Sequence, residues 1–253
     1  MARAEISTTI NRPIDEVFGA KPDVSDISDR AKIWLAAACG LGMVVLLFAA
    51  IGALSSAGPI LAKDAPTSEV MAWGVHRDAL LAYTWLGPNA IILFVLFVLF
   101  LARLAEPQGG TASTVALTGA VLLMSVALLN HTLVQSLTYA VGSGDASAAT
   151  VWAQLRAVDH IFHVANPVVF GGLAFLVLRT GVLPGVFGVV AVFLTAADLV
   201  IGPLALFNRS VEENEILPAF ALTMWVLAAS VFLIWTAVRP GSARSGGVPA
   251  GAP

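Results

Sequence analysis

The sequence predicts an all-α fold, a polytopic membrane helix bundle with six transmembrane helices and both termini in the cytoplasm. Three observations carry this. Of 253 residues, 58% are hydrophobic and 11% charged, against roughly 25% charged in ordinary globular chains, and the mean hydropathy is +0.88. The apolar residues collect in continuous runs rather than in short alternating ones, which selects helices over barrel strands. Finally, Lys and Arg gather on one side of the runs. A chain so poor in charge cannot solvate its own surface, so a soluble enzyme, a nucleic-acid binder and a disordered protein are excluded, and the lipid bilayer is the expected partner. The net charge of -3 offers no face for a polyanion.

The chain opens with a mixed-charge segment, 1–32, expected in the cytoplasm. Crossing about 30 Å of hydrocarbon takes about 20 apolar residues, and six stretches qualify: 33–58, 78–104, 113–141, 153–179, 183–207 and 216–238. The first is far longer than the core of a cleaved signal, about 7 to 15 residues, and is read as a retained helix. Its Cys39 is the single cysteine, which rules out a disulfide within the chain, and with no basic neighbour it reads as a packing residue. The second and fourth spans each carry an internal proline, Pro88 and Pro167, an end arginine, Arg103 and Arg179, and a proline beyond, Pro107 and Pro184. Residues 33–239 form the membrane domain. The tail, 240–253, is mostly Gly, Ala, Ser and Pro, a composition that buries too little apolar surface to fold.

Orientation follows the excess of basic residues on the cytoplasmic side. With the N-terminus inside, Arg3, Arg12, Lys21, Arg30, Lys32, Arg103, Arg179, Arg239 and Arg244 lie in the cytoplasm, and only Lys63, Arg77, Arg156 and Arg209 lie outside. Arginine outnumbers lysine ten to three, a bacterial pattern, so the expected location is a bacterial cytoplasmic membrane, multi-pass, and the glycosylation-type triplet Asn208, Arg209, Ser210 reads as accidental. Trp73, Trp152 and Trp235 sit near span ends and are expected to form interfacial belts.

Two stretches carry a family resemblance. Residues 167–192, PVVFGGLAFLVLRTGVLPGVFGVVAV, close a helix at Arg179, Thr180 and Gly181 and restart the chain at Pro184. This hairpin resembles that of uncharacterised six-helix bacterial integral membrane protein families, domains of unknown function, and implies the six-span layout without any site residue. Residues 4–26, AEISTTINRPIDEVFGAKPDVSD, resemble the start of START-like polyketide-cyclase domains. Such a domain needs over a hundred further soluble residues, whereas this chain enters the membrane by Ile33, so the fragment implies no cyclase cavity.

Ionisable groups within spans cost about 2.5 kcal/mol or more at the bilayer centre, and here they are grouped. In the fourth span Arg156, Asp159, His160, His163 and Asn166 fall within a sector roughly 120° wide at about 100° per residue. His131, Gln135 and Thr138 share a face of the third span, Asp78, Trp85 and Asn89 one of the second, and Asp198 stands alone on the fifth. At 1.5 Å per residue, His131, His163, Asn89 and Asp198 fall roughly 12 to 17 Å below the outer boundary. This predicts an outer-leaflet polar layer of Asp78, Asn89, Gln135, Arg156, His160 and Asn166 around a candidate metal set, His131, Asp159, His163 and Asp198.

Interhelical hydrogen bonds, averaging about 0.6 kcal/mol, give such a layer a structural role. The first functional expectation is therefore a structural or partner-binding bundle, with a homo-oligomer or a membrane partner. The alternative is a metal-dependent membrane enzyme or a metal- or haem-binding redox protein. A divalent ion such as zinc suits the i, i+4 pair Asp159 and His163 with His131 from the adjacent helix. Haem would need a small-residue slot at the level of His131 and His163, and Gly171 and Gly172 lie too far along the helix. A small-molecule transporter ranks third, because the inner half lacks polar residues beyond Ser125, Ser230 and a few Gly and Thr. No residue is assigned as catalytic, and the small-molecule ligand is left open.

Overall fold

A computed structural model describes residues 29–59, 61, 65–106, 108–145, 147–207 and 216–238. Residues 4–26, the C-terminal tail, Lys63, Arg209, Glu212, Glu213 and Glu215 lie outside these. Among the described residues the chain is all helical: α1 (Asp29–Ser56), α2 (Thr67–Gly74), α3 (Arg77–Leu104), α4 (Gly110–Gly142), α5 (Ala148–Thr180), α6 (Gly185–Phe207) and α7 (Ile216–Val238). All but α2 are long and apolar enough to cross a membrane, which makes the chain a multi-pass helical membrane bundle. The helices run a few residues past the apolar runs, α1 beginning at Asp29 and α5 at Ala148, because helical hydrogen bonding continues into the headgroup zone after hydropathy has fallen.

The helix ends follow local chemistry. At the α5 terminus Gly181 adopts φ +66, and its N–H donates to Val177 O at 2.9 Å, the left-handed stop that glycine adopts without a Cβ penalty. The helix restarts beyond Pro184, whose carbonyl accepts from Phe187 N at 2.9 Å. Pro66 in extended conformation precedes α2. This short helix lies between the first two predicted spans, and its Gly74 is so close to Val141 of α4 that a Cβ would overlap the Val141 side chain.

Around the bundle α1 packs on α3, α3 on α4, α4 on α5 and α5 on α6, and α7 returns to α1. The α6–α7 seam is the thinnest, with Trp225 Nε1 donating to Phe187 O at 3.0 Å. Small residues set the closest approach. A Cβ on Gly172 would meet Ala116 Cα at 2.9 Å, and one on Gly119 would meet Val168 O at 2.9 Å, so the α4 and α5 backbones touch there, as small residues permit in membranes. Large apolar side chains, among them Val45, Phe193 and Val186, cover the exterior, the inverse of a water-soluble surface.

Two apolar cores result. The larger contains Phe94, Phe97, Phe170, Leu173 and Trp225 and fills the end where α1 begins. The smaller, built from Val70, Trp73, Leu80, Leu137 and Trp152, lies at the end carrying α2. Between them is a cavity.

Candidate ligand cavity

The cavity measures about 660 Å³, within the about 300–1,000 Å³ of small-molecule sites. Residues of α1 to α5 and α7 line it, and none of its lining residues comes from α6. Most of its polar groups belong to three helices, with Ser55 added from α1 and the Trp73 indole from α2. Tyr83 comes from α3, Asn130 and His131 from α4, and Arg156, His163 and Asn166 from α5.

On α4 the buried face runs through Leu123, Ala127, Asn130, His131, Val134 and Leu137. His131 fits because Gly87 on α3 has no side chain: a Cβ there would fall on the imidazole. Tyr83, one turn before Gly87, lays its ring against His131 at 4.6 Å between centroids and 47° between planes. Its hydroxyl donates to Asn130 Oδ1 at 3.4 Å. His131 is 8% exposed, and its Nδ1 has no hydrogen-bond partner among the described residues.

The cavity wall beside α2 is aromatic. Trp73 of the α2 helix meets Trp152 of α5 edge-on, with centroids 5.4 Å apart and planes at 60°, and Arg156 lies over the Trp152 ring at 5.9 Å. Trp73 and Trp152 are 6% and 2% exposed, so neither belongs to an interfacial belt. The α2 helix covers what hydropathy placed at the interface. Trp235, at 48% exposure, keeps the surface position expected of it. Trp73 Nε1 likewise has no partner among the described residues. Burying such a group without a hydrogen bond costs about 1–3 kcal/mol, and unsatisfied buried groups in native structures call for an explanation.

The predicted layer divides. His131, His163, Arg156 and Asn166 share the cavity wall. Asp198 is buried on α6 outside that wall, with Oδ2 unpartnered among the described residues. It stands one turn before Gly202, whose Cβ position lies 3.0 Å from His163 Cβ, so His163 joins the cavity to the helix face that carries Asp198. Gln135 and Asp78 are exposed. The boundary of the buried α4 face falls between His131 and Gln135, and the α3 stripe of Asp78, Trp85 and Asn89 points away from the bundle axis set by Leu80, Gly87 and Phe94. Asn89 instead donates to Trp85 O of its own helix at 2.7 Å. Asp159 and His160 lie on α5, and their side chains are outside the described residues. Among the described residues no three His, Cys, Asp or Glu side chains gather as a metal set.

Sequence reasoning missed Tyr83, Asn130, Trp73 and Trp152. A signal existed for two of them, since Asn130 adjoins His131 and Trp152 precedes Arg156 by four residues, the spacing at which helical side chains meet. No family model, curated protein or solved structure matches this chain.

Proposed function

We propose that this multi-pass protein binds a small amphipathic molecule in the cavity beneath α2, as a ligand-holding and partner-binding bundle in a bacterial cytoplasmic membrane. With the N-terminus cytoplasmic, the α2 end faces outward and the ligand enters from that side. The cavity itself carries the reading, a partly open, mostly apolar space with a few convergent polar groups, which is the usual form of a ligand site. Transport fits less well, because Phe94, Phe97, Leu101 and Leu173 pack the opposite end of the bundle.

The test is thermal stability of the detergent-purified chain against a panel of single-chain and ring-bearing amphiphiles. The native protein is stabilised by at least one of them. Ala127→Phe, which places a ring in the cavity, is stabilised by none. A panel that leaves the native protein unmoved removes the proposal.

A second reading, a metal-dependent or redox site, draws on His131 and His163 lining one cavity, with Asp159 and Asp198 as further oxygen donors. Its test is elemental analysis and an absorption spectrum of the purified protein. Stoichiometric metal lost in both His131→Ala and His163→Ala establishes it, and metal retained in both removes it.

A further inference from the structure

The cavity is two-sided, and its chemistry narrows the ligand class. This inference rests on the small-molecule reading above. One wall is mostly apolar: α1 contributes Met43, Leu47, Ile51 and Leu54, ending at the hydroxyl of Ser55, and α7 contributes Ala219 and Leu222. Along α1 the apolar part of that wall extends about 16 Å at 1.5 Å per residue, room for an extended apolar tail. The facing wall, from α2 to α5, holds the other hydrogen-bonding groups and the rings of Trp73, Trp152, Tyr83, His131 and Phe162.

Two of those rings, on different elements and each more than nine-tenths buried, hold nitrogen atoms without a partner among the described residues: Trp73 Nε1 and His131 Nδ1. The indole N–H only donates, so its complement is an acceptor oxygen. Aromatic side chains on several elements favour a planar headgroup, since offset and edge-on ring packing adds to the burial of area.

We propose that the cavity takes a planar, carbonyl-bearing ring with an apolar tail, the chemistry of a membrane quinone. The headgroup lies among Trp73, Trp152 and Tyr83 with a carbonyl oxygen accepting from the Trp73 indole, and the tail follows the α1 and α7 wall.

The experiment uses the full chain in detergent, freed of co-purifying lipid, and measures binding by equilibrium ultrafiltration. The probes are a benzoquinone with a single isoprene unit, decanoate and decyltrimethylammonium. The quinone binds at least tenfold more tightly than either comparator. Trp73→Phe keeps a ring and removes the N–H, and it weakens quinone binding about tenfold while the melting temperature stays within a few degrees. His131→Phe weakens it similarly, and if that variant does not fold, Trp73→Phe decides alone. Trp235→Phe, on the outer surface, leaves binding unchanged. Equal binding of decanoate or of the cationic probe overturns the quinone class while leaving the cavity a ligand site, and so does quinone binding indifferent to Trp73→Phe. Failure of all three probes to bind overturns the quinone inference, while the panel of amphiphiles tests the site reading separately.

Discussion

The rings of Tyr83 and His131 meet across the α3–α4 interface with centroids 4.6 Å apart and planes tilted by 47°, with the imidazole seated over the bare backbone of Gly87. One glycine thus creates the berth for a buried histidine, and one tyrosine closes it.

Gly87→Ala puts a methyl group where the His131 ring sits, and Tyr83 blocks the ring from sliding sideways. Overpacking of this kind costs about 1–3 kcal/mol. Thermal melts in detergent should show that loss, and the double variant Gly87→Ala with His131→Ala should recover part of it. Additive losses would mean that the two residues do not share the berth.

Gly171 and Gly172 are neighbours with opposite expectations. A methyl at Gly172 meets the α4 backbone at Ala116 Cα, 2.9 Å away, whereas one at Gly171 meets only the Thr195 side chain at 3.8 Å. Gly172→Ala should lower stability by about 1–3 kcal/mol, and Gly171→Ala should be neutral or stabilising by about 0.5–1 kcal/mol. Equal effects in a denaturation series would contradict the close approach of α4 and α5.

Trp152→Ala removes a fully packed indole from the core at the α2 end and should cost about 3–5 kcal/mol. Trp235→Ala, also near a helix end but half exposed, should cost far less. The comparison reads out which tryptophans belong to the protein interior and which to the lipid interface.

His163→Ala and Asp198→Asn should be non-additive in thermal stability, because Gly202, one turn from Asp198, packs directly on His163 and contacting groups couple by about 0.5–3 kcal/mol. A double variant whose loss equals the sum of the single losses would separate the two residues.

Reporter fusions at Gly109 and Gly144 test the orientation. The first should report cytoplasmic and the second external. The reverse would turn the cavity towards the cytoplasm without altering its walls.

The amino-acid sequence by itself determined the spans. Lipid offers no hydrogen bonds, so each crossing must be a long apolar helix, and that demand is written locally in runs such as 216–238. Gly181 and Pro184 were legible for the same reason, since their backbone preferences act within a turn. Helical periodicity also found the polar stripe of α5, which supplies Arg156, His163 and Asn166 to the cavity. Only the tertiary structure decided where each face points. Hydropathy treats Gln135 and Asn130 alike, yet the first is exposed and the second buried, because the rotation of α4 is set by Gly119 and Gly172 meeting the facing backbone. Trp73 and Trp152 read as interfacial from their positions, and the folding of α2 over the bundle end placed them inside. In a membrane apolar surface is favoured on the outside and the inside of a bundle alike, so hydrophobicity alone does not orient a helix. Close packing between particular residues does.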